Sequence, residues 1–367
     1  MRRILIPCLA ALLALVSCDR TVHHGRETIA LVRVIAAESD GYEHVLLSSH
    51  PKASAAGDIC VIGSPEACSI ISRRFLDCDM VENARGSEWG DDLKDFAGET
   101  ITCICDGINT PYDRFAEEKG EETLRALAVR YAIASLESKC NASVYDLEGN
   151  LPKHPAKCII LADPWLTLHG KFDIDTLFSL TSCGVPVMSP SDLMLDAALD
   201  GPRKLFNTGI ICDSTFAGSG IYSQLFEAKA KEHDILGARS FTAAAATEGG
   251  VLAGFLDAYL EAGNEAPLDA VLIDDWSVDV KAMNEELKAI RDFSREEHML
   301  YGRLLTPHFT LINSSDLTLS KTYGLLRGND LFTHKIARPR SFDLNVKPRP
   351  DGDAEQFLLI PNYNVQD

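Results

Sequence analysis

Two apolar runs in different halves of the chain have the same form. Residues 156–165 read Ala-Lys-Cys-Ile-Ile-Leu-Ala-Asp-Pro-Trp, and residues 269–276 read Asp-Ala-Val-Leu-Ile-Asp-Asp-Trp. Runs of this kind are typical of strands buried on both faces of a parallel sheet. Ligands of open α/β sheets bind beyond the carboxyl ends of the strands. The pattern therefore predicts two similar lobes that face each other across a cleft.

Strand-like and helical patterns alternate along most of the chain. The strand-like runs lie at residues 58–63, 100–105, 156–163 and 185–188, and then at 205–212, 240–246, 270–273 and 309–313. Apolar residues at helical spacing separate most of these runs. This alternation predicts an α/β fold with parallel sheets that are covered by helices.

The remaining elements are less regular. The apolar run 29–35 predicts a first strand, and residues 112–139 predict one long helix. Short strands are predicted at 322–326, 331–337 and 356–360, between turns that contain proline. The regular alternation therefore stops before the closing part of the chain.

The first residues form a leader pattern. Arg2 and Arg3 precede a short apolar run that ends in Leu15-Val16-Ser17-Cys18. This motif resembles the lipobox of bacterial lipoproteins, which implies a signal peptide over residues 1–17 and a lipid on Cys18. An ordinary secretory leader followed by a disulfide cysteine is the alternative. We expect a lipid-anchored protein of the bacterial cell envelope, facing the periplasm or the cell exterior, with 18–27 as a tether.

Composition and charge narrow the classes of partner. The chain of 367 residues is long enough for two domains, and 46% of it is hydrophobic, which allows a sizeable core. Its formal charge of −19 makes it a poor candidate for binding nucleic acid. No run after the leader is long and apolar enough to cross a membrane. Any membrane attachment therefore has to come from acyl chains.

The cysteines favour core packing. Of eleven cysteines, Cys8 lies in the leader and Cys18 is the predicted anchor, so nine remain and cannot all pair within one chain. Several of them lie inside strand-like runs, where a thiol behaves as a small apolar group. Some disulfides or a metal site are the alternatives, although no Cys-x-x-Cys motif occurs. We expect neither a metal nor an organic cofactor.

Three segments together resemble the type I periplasmic substrate-binding proteins. They are the strand, helix and strand over 156–187, the strand 269–275 with its following helix, and the strand that leads into 309–316. The resemblance implies two Rossmann-like lobes, a three-stranded hinge between them and a ligand in the cleft. It divides the chain into an N-terminal lobe (28–190), a C-terminal lobe (191–320), and crossover strands with a tail (321–367).

Residues that follow the strands are the candidate ligand-binding residues. They are Asp40, Asp106, Asp163, Trp165, Asp213, Ser214, Asp275, Trp276 and Asp316. Carboxylates accept hydrogen bonds and indoles stack, which suits a polyhydroxylated or cationic ligand such as a sugar, a nucleoside or a polyamine. Each Asp can instead be a helix N-cap, and each Trp can be a packing residue.

These features together predict a receptor rather than an enzyme. The sequence contains no Gly-x-Ser-x-Gly motif, no His-Glu-x-x-His motif and no phosphate-binding loop. We expect a solute-binding lipoprotein that passes a small polar ligand, a sugar or nucleoside above all, to the permease of an ABC-type importer. The alternative is a structural or protein-binding surface lipoprotein with the same bilobal fold.

Overall fold

The computed structural model describes residues 26–81, 93–200, 207–246, 249–352 and 356–362. The leader and Cys18 lie outside these residues, so the lipid anchor stays a prediction. None of the helices in the described ranges combines the length and the apolar character needed to span a bilayer.

The first lobe is formed mainly by residues 26–188. Its elements are α1 (Ala30–Ala37), α2 (Tyr42–Ser48), β1 (Asp58–Gly63), α3 (Pro65–Asp77), β2 (Thr100–Cys105), α4 (Tyr112–Lys119), α5 (Glu121–Leu136), β3 (Lys139–Cys140), β4 (Leu151–Pro152), β5 (Ala156–Leu161), α6 (Pro164–Leu180) and β6 (Val187–Met188). Every residue of β1, β2 and β5 is buried, as the continuous apolar runs predict.

The second lobe follows without interruption. Its elements are α7 (Pro190–Leu199), β7 (Asn207–Cys212), α8 (Ser214–Ala217), α9 (Ile221–Glu232), β8 (Arg239–Ala244), α10 (Val251–Glu261), β9 (Leu268–Asp274), α11 (Val280–Arg291), α12 (Glu296–Arg303) and β10 (Leu305–Asn313). The four strands pair in the order β10-β9-β7-β8, all parallel. Apolar clusters cover both faces of this sheet.

The chain then returns to the first lobe. Its last elements are α13 (Ser314–Gly328), β11 (Arg340–Pro348) and β12 (Phe357–Pro361). β11 pairs in parallel with β2, and β12 pairs antiparallel with β11, which gives the sheet order β12-β11-β2-β1-β5-β6. The prediction of an α/β fold with parallel sheets is therefore confirmed.

The predicted three-stranded hinge is wrong for the part of the chain that the structure describes. The chain passes to the second lobe once, between β6 and α7, and returns once, through α13. Leu319 and Tyr323 of α13 already pack in the core of the first lobe. Because β11 and β12 both extend the first sheet, neither strand forms a third crossing.

Several predicted elements have a different form. The run 29–35 lies in helix α1, because Val32 and Ile35 are buried on one face while Val34 is exposed. The predicted helix 112–139 is two helices, which meet at Gly120 with φ +94°. Residues 322–326 belong to α13, and 331–337 form no strand.

All nine described cysteines are free, and eight of them are buried. The expectation that they pack as small apolar side chains is therefore confirmed.

Candidate active site

A cleft with a volume of about 370 Å³ lies between the two lobes. Its polar and aromatic lining comes from Ser64, Glu66, Thr110, Tyr112, Asp113, Asp163 and Trp165 of the first lobe, and from Asp213, Thr215, Phe216, Tyr222, Asp274, Asp275 and Trp276 of the second. These residues follow, or lie beside, the carboxyl ends of the central strands. The cleft is therefore located where ligands bind in open α/β sheets.

Asp163 is a buried carboxyl group at the start of α6. Its Oδ1 accepts a hydrogen bond from the backbone N–H of Trp165 at 2.8 Å, so the side chain caps the helix. The side chain is only 5% exposed. Burial raises the pKa of Asp163 from its ordinary value of 3.8 to about 7, although the backbone N–H groups of the helix oppose this. A carboxyl group with this pKa can give or accept a proton near neutral pH.

Asp274 is the last residue of β9 and comes from the other lobe. Its Oδ2 accepts hydrogen bonds from Ser191 Oγ at 2.5 Å and from the Tyr222 hydroxyl at 2.8 Å. Burial raises the pKa of Asp274, while the hydroxyl groups around it lower it in part. The side chain is thus held in one orientation by fixed donors.

The charge of Asp274 acts on Asp163 from the other lobe. The negative charge of Asp274 is among the causes that raise the pKa of Asp163. Tyr222 lies near both, because its own pKa is raised, after burial, by Asp274 and also by Asp163. The cleft therefore holds two interacting acids that belong to different lobes.

Tyr112 adds a buried hydroxyl group to the cleft. Its side chain is 1% exposed, and its hydroxyl oxygen has no hydrogen-bond partner among the described residues. Burial raises the pKa of Tyr112, and the charges of Asp106 and Asp163 raise it further. Buried polar groups in proteins are normally hydrogen-bonded, so this hydroxyl is suited to a ligand.

Trp165 and Trp276 form aromatic walls of the cleft. Trp165 is half-buried and stacks on His169, with ring centroids 5.4 Å apart and an interplanar angle of 9°. Trp276 comes from the second lobe but packs among core residues of the first lobe, with 7% of its surface exposed. Both residues therefore have a packing role as well as a face toward the cleft.

Arg74 links the two lobes beside the cleft. Its guanidinium, on α3, donates to the backbone carbonyl of Trp276 from Nη2 at 2.9 Å and from Nε at 3.1 Å. Nη2 also donates to the carbonyl of Val278 at 3.3 Å. These bonds hold the segment after β9 against the first lobe.

Five of the nine residues predicted from the sequence line the cleft. They are Asp163, Trp165, Asp213, Asp275 and Trp276. Asp213 and Asp275 each use Oδ1 for a local turn, accepting from the backbone N–H and the hydroxyl of Thr215 and of Ser277 respectively. Asp213 is thereby the N-cap of α8, whereas Asp275 caps only a turn, since the N-cap of α11 is Asp279. The ligand-binding role of these residues stays a prediction.

The other four predicted residues do not line the cleft. Asp40 is exposed in a turn after α1, because the run before it is a helix and not a strand. Asp106 is fully buried, and its carboxylate accepts bonds from the backbone N–H groups of Ile108 and Asn109 and from the Tyr131 hydroxyl. Ser214 and Asp316 are exposed in the first turns of α8 and α13.

The sequence alone did not identify the two tyrosines. Tyr222 lies in the first turn of α9 and Tyr112 in the first turn of α4, far in sequence from the strands that they approach. Of Tyr112, Tyr222 and Asp274, only Asp274 has a signal in the sequence, because it precedes Asp275 at the end of a strand-like run. Among the described residues, no group of three or more His, Cys, Asp or Glu side chains is arranged to hold a metal ion.

No protein-family model matches the chain, and no curated protein matches it. Solved structures that match include a glutamate racemase from Francisella tularensis in complex with D-glutamate, at 15% identity and a TM-score of 0.44. That match covers 82% of this chain and 92% of the racemase.

Two further matches are of the same kind. A glutamate racemase isoform from Bacillus anthracis is 14% identical with a TM-score of 0.42, and covers 80% of this chain and 89% of its own. An aspartate racemase homologue from Pyrococcus horikoshii is 12% identical with a TM-score of 0.37, and covers 74% and 99%. At these TM-scores the likeness assigns no activity to this chain.

The resemblance to periplasmic substrate-binding proteins is nevertheless wrong. The matched structures are racemases, and within its described residues the chain crosses between its lobes twice, where that resemblance implies three crossings. The predictions of an importer's solute receptor and of a permease partner depended on this resemblance and are wrong with it. The prediction of a protein without enzymatic activity, which also depended on missing catalytic motifs, is wrong on the same finding. The alternative of a structural or protein-binding lipoprotein gains no support. The activity has to be inferred from the cleft itself.

Proposed function

We propose that this chain is an enzyme that transfers a proton on a small polar substrate held between its two lobes. Asp163 and Asp274 are its acid–base pair. The observation that supports this most directly is the pair itself, since two carboxyl groups with raised pKa values come from opposite lobes and line one cleft. Strongly shifted pKa values in a cleft are characteristic of acid–base sites.

Burial acts on the two acids in the same direction. The proposed transfer needs one carboxyl group protonated and the other ionised at the same time. In this cleft the pKa values of Asp163 and Asp274 are both raised by burial. Either group can therefore act as the acid or as the base, which suits a reversible reaction.

The proposed step moves one proton off the substrate and another onto it. The ionised carboxylate of Asp163 removes a proton from a carbon next to a carbonyl group, and the bonding electrons move into that carbonyl. Asp274, in its protonated form, gives its proton to the substrate from the opposite side. The product is an isomer of the substrate, and each aspartate finishes in the protonation state that the reverse reaction requires.

Neighbouring groups position the two acids. The first turn of α6 fixes Asp163 through the N–H of Trp165, while Ser191 and Tyr222 fix Asp274. The aromatic rings of Trp165 and Trp276 reduce access of water, which strengthens electrostatic interactions within the cleft. Substrate entry then requires the lobes to move apart about the two crossings, as in other two-lobed proteins.

Isotope exchange tests the proposal directly. The protein is incubated in D₂O with a panel of small carbonyl compounds, and exchange of carbon-bound hydrogen is followed by NMR. We expect the wild-type chain to catalyse exchange on at least one compound, and Asp163→Asn and Asp274→Asn to reduce it by at least about 100-fold. Asp279→Asn, which alters an exposed cap of α11 that does not line the cleft, serves as the control.

Two outcomes contradict the proposal. One is exchange that persists in both aspartate variants. The other is the absence of exchange with every carbonyl compound of the panel.

A further inference from the structure

Among the described residues, six carboxyl side chains and no Lys, Arg or His line the cleft. The six are Glu66, Asp113, Asp163, Asp213, Asp274 and Asp275. None of them forms an ion pair with another described residue. The negative charge of the lining is therefore not balanced by the described part of the chain.

Three buried acids elsewhere in the molecule have basic partners. Asp173 binds Arg125 at 2.7 Å, Glu99 binds Lys157 at 2.8 Å, and Asp192 lies 3.5 Å from two lysine side chains. Three others are held by hydrogen bonds and form no ion pair with a described residue, namely Asp58, Asp95 and Asp106. Burying an unpaired charge is costly, so proteins normally supply a partner or hydrogen bonds. A positively charged ligand would supply the cleft carboxylates with the partner that the described residues do not.

Tyr112 provides an independent sign of a ligand. Its hydroxyl is nine-tenths or more buried, and it has no partner in the described part of the chain. The side chain lines the cleft beside Asp113. A hydroxyl oxygen can accept a hydrogen bond from an ammonium group, which would satisfy it.

We infer that the substrate of this cleft carries a positively charged nitrogen and no acidic group. The inference rests on the proposed function only in assigning the substrate to the same cleft. Asp213 and Asp275 each engage Oδ1 in a local turn, and no described group bonds their Oδ2 atoms, which remain available to an ammonium group. The rings of Trp165, Phe216 and Trp276 add faces on which a cation is stabilised.

An organic ammonium fits these observations better than a metal ion. No three side chains of the described residues converge as metal ligands, and the carboxylates are spread around the lining. The aromatic rings suit a cation that also presents apolar surface. The volume of about 370 Å³ suits a molecule of the size of a monosaccharide or a short diamine.

Matched probes that differ only in charge test the inference by calorimetry. One set is glucosamine, glucose and glucuronate, and the other is putrescine, 1,4-butanediol and succinate. We expect at least one ammonium probe to bind the full chain, at least about 10-fold more tightly than its neutral counterpart, and both acids to fail to bind. Salt should weaken the binding.

Variants locate the binding in the cleft. Asp213→Asn and Asp275→Asn should each raise the Kd of the ammonium probe about 5-fold, because one partly exposed charge is lost. Tyr112→Phe should raise it as well, whereas Asp279→Asn should leave it unchanged. Unchanged affinity in both aspartate variants would overturn the inference.

The results separate this inference from the proposed function. Three results would overturn the inferred charge preference: binding of an acidic probe, equal binding of a neutral probe, or no binding of either ammonium probe. None of them would contradict the proposed proton transfer. Failure of the exchange assay together with binding of an ammonium probe alone would overturn the proposed reaction and leave the charge preference standing.

Discussion

Asp163 and Asp274 lie at the ends of strand β5 and strand β9 in different lobes, yet the charge of one raises the pKa of the other. The backbone N–H of Trp165 fixes Asp163 at the start of α6. The hydroxyl groups of Ser191 and Tyr222 fix Asp274 at the end of β9. The relationship depends on how the lobes are joined, because neither lobe contains both residues.

Asp163→Asn should stabilise the protein at alkaline pH while it abolishes catalysis. The pKa of Asp163 in the folded chain is about 7, above its ordinary value of 3.8, so the native state holds the proton more tightly. Stability is therefore lost as pH rises from about 4 to about 7. Asn cannot ionise and caps a helix nearly as well. At pH 8 the gain in the free energy of unfolding should be on the order of 2 to 4 kcal/mol.

Denaturant unfolding at two pH values checks this prediction. The gain should be large at pH 8 and small at pH 4.5, where Asp163 is protonated in the native state. Asp279→Asn, at an exposed cap, should change neither value. A gain of the same size at both pH values would show that ionisation of Asp163 is not the cause.

Tyr222→Phe should reduce the rate of proton exchange by about 10-fold at neutral pH. The hydroxyl donates to Asp274 and lowers the pKa of that carboxyl, so its loss raises the pKa further. The alkaline limb of the pH–rate profile, which reports the proton donor Asp274, should then move upward by about one pH unit. The measurement is the exchange rate as a function of pH.

The matched control is Tyr259→Phe. Tyr259 is also buried, but its hydroxyl donates to the backbone carbonyl of Ala266, away from the cleft. This variant should lose some stability and keep the wild-type pH profile. If both variants moved the profile equally, the role assigned to Tyr222 would be wrong.

Arg74→Ala should loosen the contact between the lobes. The guanidinium binds the carbonyls of Trp276 and Val278, and its removal leaves these groups to water. Amide hydrogen exchange should become faster in residues 276–278, and KM should rise by a few fold. Arg73→Ala is the control, because the exposed Arg73 on the same helix makes no such bond.

Lys157→Met should destabilise the first lobe strongly. The ammonium is fully buried and binds Glu99 at 2.8 Å together with the carbonyl of Leu331. Its removal leaves an unpaired buried carboxylate, which costs about 3 to 5 kcal/mol. Adding Glu99→Gln should recover much of the loss, since the amide oxygen can still accept from the N–H of Thr333. Denaturant unfolding of both variants measures the difference.

The sheets were predictable because their strands have a simple local signature. β1 and β5 are buried on both faces, and strands in that position need a nearly continuous run of apolar residues. β11 carries no such signature, because Phe342, Leu344 and Val346 alternate with polar residues, and its place beside β2 depends on residues more than 200 positions away. The order of elements fitted a binding protein, but strand order and crossings are set by tertiary pairing.

The candidate site was predictable only where its residues follow a strand. Asp163, Asp275 and both tryptophans end apolar runs, so the rule for strand ends found them. Tyr112 and Tyr222 lie on helices, and nothing in their local sequence shows which cleft the helix borders. The pKa of Asp163 is raised by burial and in part by the charge of Asp274 from the second lobe, which is a property of the assembled fold.

The two C-terminal strands set the order in which the chain can be completed during synthesis. The first sheet needs β11 along the side of β2, but β11 leaves the ribosome after the whole second lobe. The second lobe is continuous in sequence and can fold before β11 exists, whereas β2 keeps one open edge until β11 has been synthesised. A chain stopped before residue 340 therefore presents an apolar strand with one unpaired edge to its neighbours, and such edges promote aggregation.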